Sequence, residues 1–362
     1  MADTGTKERF KNVDFMRFVL IAFIVLFHGK NFYNFGGENL ILNTFPGLQF
    51  GYICVDFFFI IAGFFLFNNI KINMDTVEYA VKRFFRLAPL VWLFIIFSII
   101  LNLSLGRVIH FDRYFLKAFL LSSLGFAPEL DTKIHWFIPV LFWCSLFYFY
   151  LTKIIDKKIL NIIVWLLVVC GYGLALNSAS YGLDVHTNNV FAFINPGVAR
   201  GLAGLGIGYF ISMLYKTDFL NECSKAAKWV ISFAEIFLTG ILGYYLLFSK
   251  NLPSKSVFPL ILFFSMLFFL FLRNKGVISR LLNNKFSVLL GSWSYAIYVL
   301  STAVNGAYVN YIAKPHPEIL ITNPLLSLCL LALVEIAVGV AAHYAFEKPV
   351  NKLIKNKLFS KE

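Results

Sequence analysis

The chain has 362 residues, of which 59% are hydrophobic and only 14% charged, with a mean hydropathy of +0.75 and a net charge of +13. A water-soluble domain holds about 45–50% apolar and about 25% charged residues, so a soluble globular protein is excluded. Ten hydrophobic runs follow one another, near residues 13–31, 50–68, 87–104, 135–152, 159–176, 197–215, 229–248, 257–272, 286–307 and 324–346. Stretches 87–105, 256–272 and 286–313 contain no Asp, Glu, Lys or Arg. Runs of about 17–25 residues match a hydrocarbon core of ~30 Å. The pieces between them are too short for a soluble domain, and no internal repeat stands out. The expectation is an all-α polytopic membrane protein with about ten transmembrane helices, one membrane domain covering residues 1–362.

Basic residues set the orientation. With a cytoplasmic N-terminus, the inner segments carry 22 Lys/Arg, or 23 with Arg17, and the outer loops carry eight. Both termini are therefore expected in the cytoplasm. The same distribution argues against nucleic-acid binding, because the charges sit in inner loops and a tail (Lys348, Lys352, Lys355, Lys357, Lys361) that face anionic headgroups. The basic N-terminus and first run are like a signal peptide. Large residues follow (Phe32, Tyr33, Phe35) where a small-x-small cleavage site is needed, so an uncleaved first span is expected. Five cysteines (Cys54, Cys144, Cys170, Cys223, Cys329) form no CxxC or Cys/His pattern, and no metal site is expected.

In the first span, Arg17 and His28 are eleven residues apart. On an α-helix that is ~20° past three full turns and a rise of ~16 Å, so both project from one face at different depths. Ionisable groups in a membrane usually face a polar cavity or pathway. Asp14 precedes Arg17 by one turn, spaced for an ion pair. His28 is either a solvated interfacial histidine or a general base, since a neutral imidazole accepts a hydroxyl proton near pH 7. In the second span Asp56 requires a partner. It pins two helices as an ion pair, or it orients a catalytic histidine or a polar substrate. Arg200 and Glu335, in the sixth and tenth spans, pose the same question.

Arg83 and Arg86, in Arg83-Phe-Phe-Arg86-Leu-Ala-Pro89, stand at the inner mouth of the third span. Arginines at i and i+3 can clasp a phosphate, although ordinary inner-loop basicity also accounts for them. Pro89 suits the first turn of the helix that follows. A 30-residue loop with His110, Asp112, Arg113, Glu129 and Asp131 leads to His135-Trp136 at the outer start of the fourth span. It reads as a saccharide surface or as a solvated loop. Gly201, Gly204 and Gly208 give the spacing of close helix packing. Ser294, Tyr295 and Tyr298 are polar groups in a charge-free helix and need hydrogen-bond partners.

In order and spacing, these segments resemble the acyltransferase 3 family of integral membrane O-acyltransferases. The matching residues are Asp14-Phe-Met-Arg17 with His28, and Gly51-Tyr-Ile-Cys-Val-Asp56-Phe-Phe-Phe-Ile-Ile-Ala-Gly63-Phe. Arg83-Phe-Phe-Arg86-Leu-Ala-Pro89, His135-Trp136-Phe, Ser294-Tyr295-Ala-Ile-Tyr298 and Phe346-Glu347-Lys348-Pro349 complete them. The resemblance covers essentially the whole chain. It implies transfer of an acyl group, usually acetyl, from cytoplasmic acyl-CoA to a sugar hydroxyl of a cell-envelope glycan, at the inner (plasma) membrane. It casts His28 as the catalytic base, Arg17 as its basic partner and Arg83 and Arg86 as holders of the CoA phosphates. Asp14 or Asp56 would orient the imidazole, and His135, Trp136, Tyr295 and Tyr298 would contact the acceptor. No permanent cofactor is implied; partners are acyl-CoA, the glycan and membrane lipids, with homo-oligomers compatible. The chain departs from the family at Ser301, where a histidine is common, and at Leu141 and Phe142, where many members carry a glutamate. Ala62 and Lys348 replace a common serine and arginine. A transporter or flippase for a glycan or small polar solute is the alternative; paired broken-helix repeats would favour it, and none stands out.

Overall fold

The computed structural model describes residues 9–70, 73–124, 135–178, 183–184, 195–251 and 257–358. Each of the ten apolar runs forms a helix. They are α1 (Lys11–Gly29), α2 (Ile53–Asn68), α3 (Thr76–Ser104), α5 (Phe137–Ile154), α6 (Lys157–Ser178), α7 (Pro196–Tyr215), α8 (Lys225–Phe248), α9 (Val257–Arg273), α11 (Lys285–Tyr308) and α13 (Pro324–Ala342). Among the described residues, eight helices are long and apolar enough to cross a bilayer; α2 and α9, at 16 and 17 residues, are shorter. Short helices α4 (Phe111–Ala118), α10 (Val277–Leu281) and α12 (Pro317–Thr322) lie in the connections, and α14 (Lys348–Leu358) ends the fold. The strand pairing among the described residues is a two-residue hairpin, Asn34–Phe35 with Glu38–Asn39.

Bulky apolar side chains face outward on the outer helices, as at Ile96 and Ile100 of α3, Ile162 and Trp165 of α6, and Phe233 and Phe237 of α8. A surface of this kind suits lipid and not water. The chain is an all-α multi-pass membrane protein. At its centre α2 packs tightly on α7; the glycine spacing anticipates close packing of α7 but not its partner. A side chain at 204 would meet Phe59 Cβ at 2.5 Å, and one at 208 would collide with the backbone of Ile60 and Phe64. Helices α1, α11 and α13 form a second packed group beside it.

Two boundaries differ from expectation for a physical reason. Helix α3 starts eleven residues earlier than its apolar run, because Asp75 caps it by accepting from the Val77 and Glu78 N–H groups (2.8 and 3.4 Å). Glu78 and Lys82 then support the added turns with an i,i+4 ion pair at 2.5 Å. Pro89 consequently lies in the helix interior and not in its first turn. At the other end of the chain, α13 runs through a π-helical turn, His343–Glu347, into α14. Glu129 and Asp131 of the long loop lie outside the described residues.

Candidate active site

Helix α1 carries the backbone of the site. Its core face (Val13, Met16, Leu20, Ile24, Phe27) is buried. Arg17 and His28 are partly exposed, and the intervening rise is ~16 Å along one continuous helix. Asp14 pairs with Arg17 at 3.6 Å and accepts from Arg9 Nε at 2.9 Å. Asp14 is fourteen residues from His28, about 21 Å along the same helix, so it serves the arginines and cannot orient the imidazole. Helices α1 and α11 approach closely here: a β-carbon at Gly291 would collide with Asp14. Gly291 is a residue that spacing alone did not single out.

Around Arg17 the structure assembles a basic mouth. Arg86 of α3 is exposed and close enough to repel Arg17, while Glu347 attracts it. Glu347 accepts from His343 Nδ1 at 2.7 Å within its own turn, and its attraction to Arg17 brings the Phe346-Glu347-Lys348-Pro349 segment to this mouth. Arg83 is half-buried, with its guanidinium carbon 6.0 Å from the Tyr79 ring, itself stacked on Phe149 at 4.0 Å. The Arg83 guanidinium is within side-chain hydrogen-bonding reach of the Tyr79 hydroxyl. Tyr295 joins the same region, and its hydroxyl donates to the Leu87 carbonyl at 2.6 Å. The cluster is a set of cationic donors at one end of the bundle, suited to a multiply charged anion.

At the other end of α1, His28 lies within electrostatic reach of His135. His135 is buried against Phe94, with ring centroids 4.0 Å apart. Its Nε2 is 2.9 Å from the Val299 carbonyl and 3.3 Å from Thr302 Oγ1. A carbonyl only accepts, so Nε2 carries the hydrogen and Nδ1 is left as an acceptor. Tyr298 is buried beside His135 and Phe137, at 6.4 and 5.7 Å between rings. Tyr295 and Tyr298, about 4.5 Å apart along α11, thus make different contacts, one beside Leu87 and the arginines and the other beside His135. Lys117 of α4 is also buried here, 5.3 Å from the Phe94 ring. Thr302 and Lys117 escape a sequence reading, the first because a threonine in an apolar run carries no signal. Lys117 sits in a connection that reads as solvated.

Asp56 is fully buried and held by Arg200 of α7, with Nη2 to Oδ2 at 2.6 Å and Nε to Oδ1 at 3.3 Å. Arg200 Nη2 also donates to the Tyr52 carbonyl at 3.1 Å, and its guanidinium lies 4.9 Å from the Trp136 ring. Removing one partner of such a pair costs about 3–5 kcal/mol, because the other charge is stranded. Glu335 of α13 and Asn305 of α11 are buried and face one another within side-chain hydrogen-bonding reach.

The described helices form an all-α multi-pass membrane bundle, with an arginine cluster toward one end of α1 and His28 and His135 toward the other. The chain belongs to the acyltransferase 3 family: the family model, described as an acyltransferase domain, matches residues 10–344. It is thus a membrane acyltransferase. No curated protein and no solved structure matches it in the corresponding comparisons.

Proposed function

We propose that the protein is an O-acetyltransferase of the plasma membrane, moving an acetyl group from cytoplasmic acetyl-CoA to a sugar hydroxyl of a cell-envelope polysaccharide. The observation that carries this reading is the arrangement on α1. One helix face links Arg17, near Arg86 and through it Arg83, to His28, within electrostatic reach of His135. CoA has its phosphates at one end and its thioester at the other, so a donor bound by the arginines extends its acyl group along α1 toward His28. The acceptor enters from the opposite side.

In this mechanism the neutral His28 imidazole takes the proton of the sugar hydroxyl as its oxygen attacks the thioester carbonyl. The C–O bond forms and the C–S bond breaks. The departing thiolate recovers the proton from the imidazolium, leaving no net proton change. Arg17 and its neighbours hold the donor phosphates. The test is purified protein, in detergent and reconstituted into vesicles, given labelled acetyl-CoA and a panel of envelope glycans. Label must appear on a glycan hydroxyl with one free CoA thiol released per transfer; label that moves only across a vesicle membrane, with no new ester, would make the protein a transporter.

A further inference from the structure

We propose that Arg200 is a positioning residue for the His28 end of the site, its single guanidinium fixing both segments that flank His28. The proposal rests on the reading of His28 as base. One flank is the turn into α2: Arg200 Nη2 bonds the Tyr52 carbonyl at 3.1 Å, and the Tyr52 ring meets Phe27, next to His28, edge-on at 6.2 Å. Gly51 in that turn lies so close to Phe27 that a β-carbon would sit 2.5 Å from Phe27 Cβ. The other flank is the His135-Trp136 turn into α5, where the guanidinium rests 4.9 Å from the Trp136 ring. His135, the next residue, is the one in electrostatic reach of His28.

A helix pin between α2 and α7 would need only the Asp56 pair. It gives no role to the third hydrogen bond at Tyr52 or to the ring contact at Trp136. Both use what distinguishes arginine: a planar fork with donors on several edges and a face that covers an aromatic ring. Asp56 takes Nε and Nη2 and so fixes the plane of the fork. Asp56 acts through Arg200, which in turn sets the two walls.

Arg200→Lys keeps the charge opposite Asp56 but loses the fork and the flat face. It is expected to lower kcat by about 10–100-fold while leaving the KM for acetyl-CoA unchanged, the signature of a misplaced base and not of lost donor binding. Carbethoxylation of His28, followed by mass spectrometry on the full-length protein in detergent, gives a second readout that needs no acyl transfer; its rate is expected to change in the same variant. Trp136→Phe leaves the Asp56 pair in place and serves if Arg200→Lys does not accumulate. It should shift both readouts the same way, and the double variant should cost no more than the worse single one. Unchanged kcat and unchanged His28 reactivity in a folded variant would overturn the proposal, as would strict additivity. A wild-type protein without transferase activity would instead sink the acyltransfer mechanism, and His28 reactivity would still decide the geometry.

Discussion

The Tyr295 hydroxyl donates to the carbonyl of Leu87 at 2.6 Å, tying α11 to α3 two residues before Pro89. The bond anchors the helical segment that carries Arg83 and Arg86. Tyr295→Phe removes the hydroxyl and keeps the ring. Hydrogen bonds between membrane helices are worth about 0.6 kcal/mol on average, up to ~1.7. The variant is expected to melt slightly earlier in detergent and to raise the KM for acetyl-CoA modestly, with the acceptor KM unchanged. A selective effect on the acceptor would place Tyr295 against the sugar instead.

His28→Ala is expected to abolish acyl transfer while the protein still inserts and accumulates in the membrane. Loss of a general base costs about 10²–10⁴ in rate. Activity close to wild type in a well-expressed variant would remove His28 from the mechanism.

Asp75 connects the site to pH. Its carboxyl is held below the usual carboxylate range, chiefly by the Val77 N–H and also by those of Glu78 and Thr76. A depressed carboxyl pKa contributes stability above the unfolded value, and that contribution fades as pH falls through the lowered folded value. Acid is therefore expected to fray the first turns of α3, toward Arg83. Asp75→Asn, which retains a capping oxygen, should lose this acid dependence yet keep the helix start, whereas Asp75→Ala should lose both. Hydrogen exchange across residues 76–82 at two pH values checks the ordering.

Much of the fold is written in the apolar runs, because each is long enough to fill a bilayer and is bounded by polar residues. The pairing of Asp14 with Arg17 is likewise legible, being set by helix periodicity alone. Partners across helices are not. Nothing along the chain says that Asp56 meets Arg200, 144 residues away, or that the Tyr295 hydroxyl finds a backbone carbonyl. Pro89 misleads for a local reason: a proline next to an apolar run looks like a helix start until Asp75 is recognised as the cap. Glycine spacing marked α7 as a close-packing helix without naming α2 as its partner, and Gly291, with no glycine one turn away, gave no such signal.

Topology follows from the 23 basic residues in the expected inner segments against eight outside. Reporter fusions after Asp75, Asp156 and Asn221 are expected to report a cytoplasmic location, and those after Asn39, Asp131 and Asn188 an external one. Asp131 and Asn188 lie outside the described residues, so there the expectation rests on sequence. One inverted pair would mean that an apolar helix, α2 or α9 first, fails to cross.

The donor end yields the sharpest separation of effects. Arg86 is exposed beside Arg17, and Arg83 is half-buried against Tyr79 one turn away. If these residues hold the CoA phosphates, Arg83→Ala and Arg86→Ala should each raise the KM for acetyl-CoA more than that for the glycan. Lysine at either position should restore only part of the loss, since it keeps the charge but not the bidentate fork. Added salt should weaken donor binding more through the exposed Arg86 than through the half-buried Arg83, because screening acts least on buried charges. Steady-state kinetics against both substrates reads the KM split, and calorimetric binding of CoA to detergent-solubilised protein at two ionic strengths reads the lysine rescue and the salt effect. Normal CoA affinity in both alanine variants would return the pair to the role of topological anchors, and Arg17 would then be the residue to test for the phosphates.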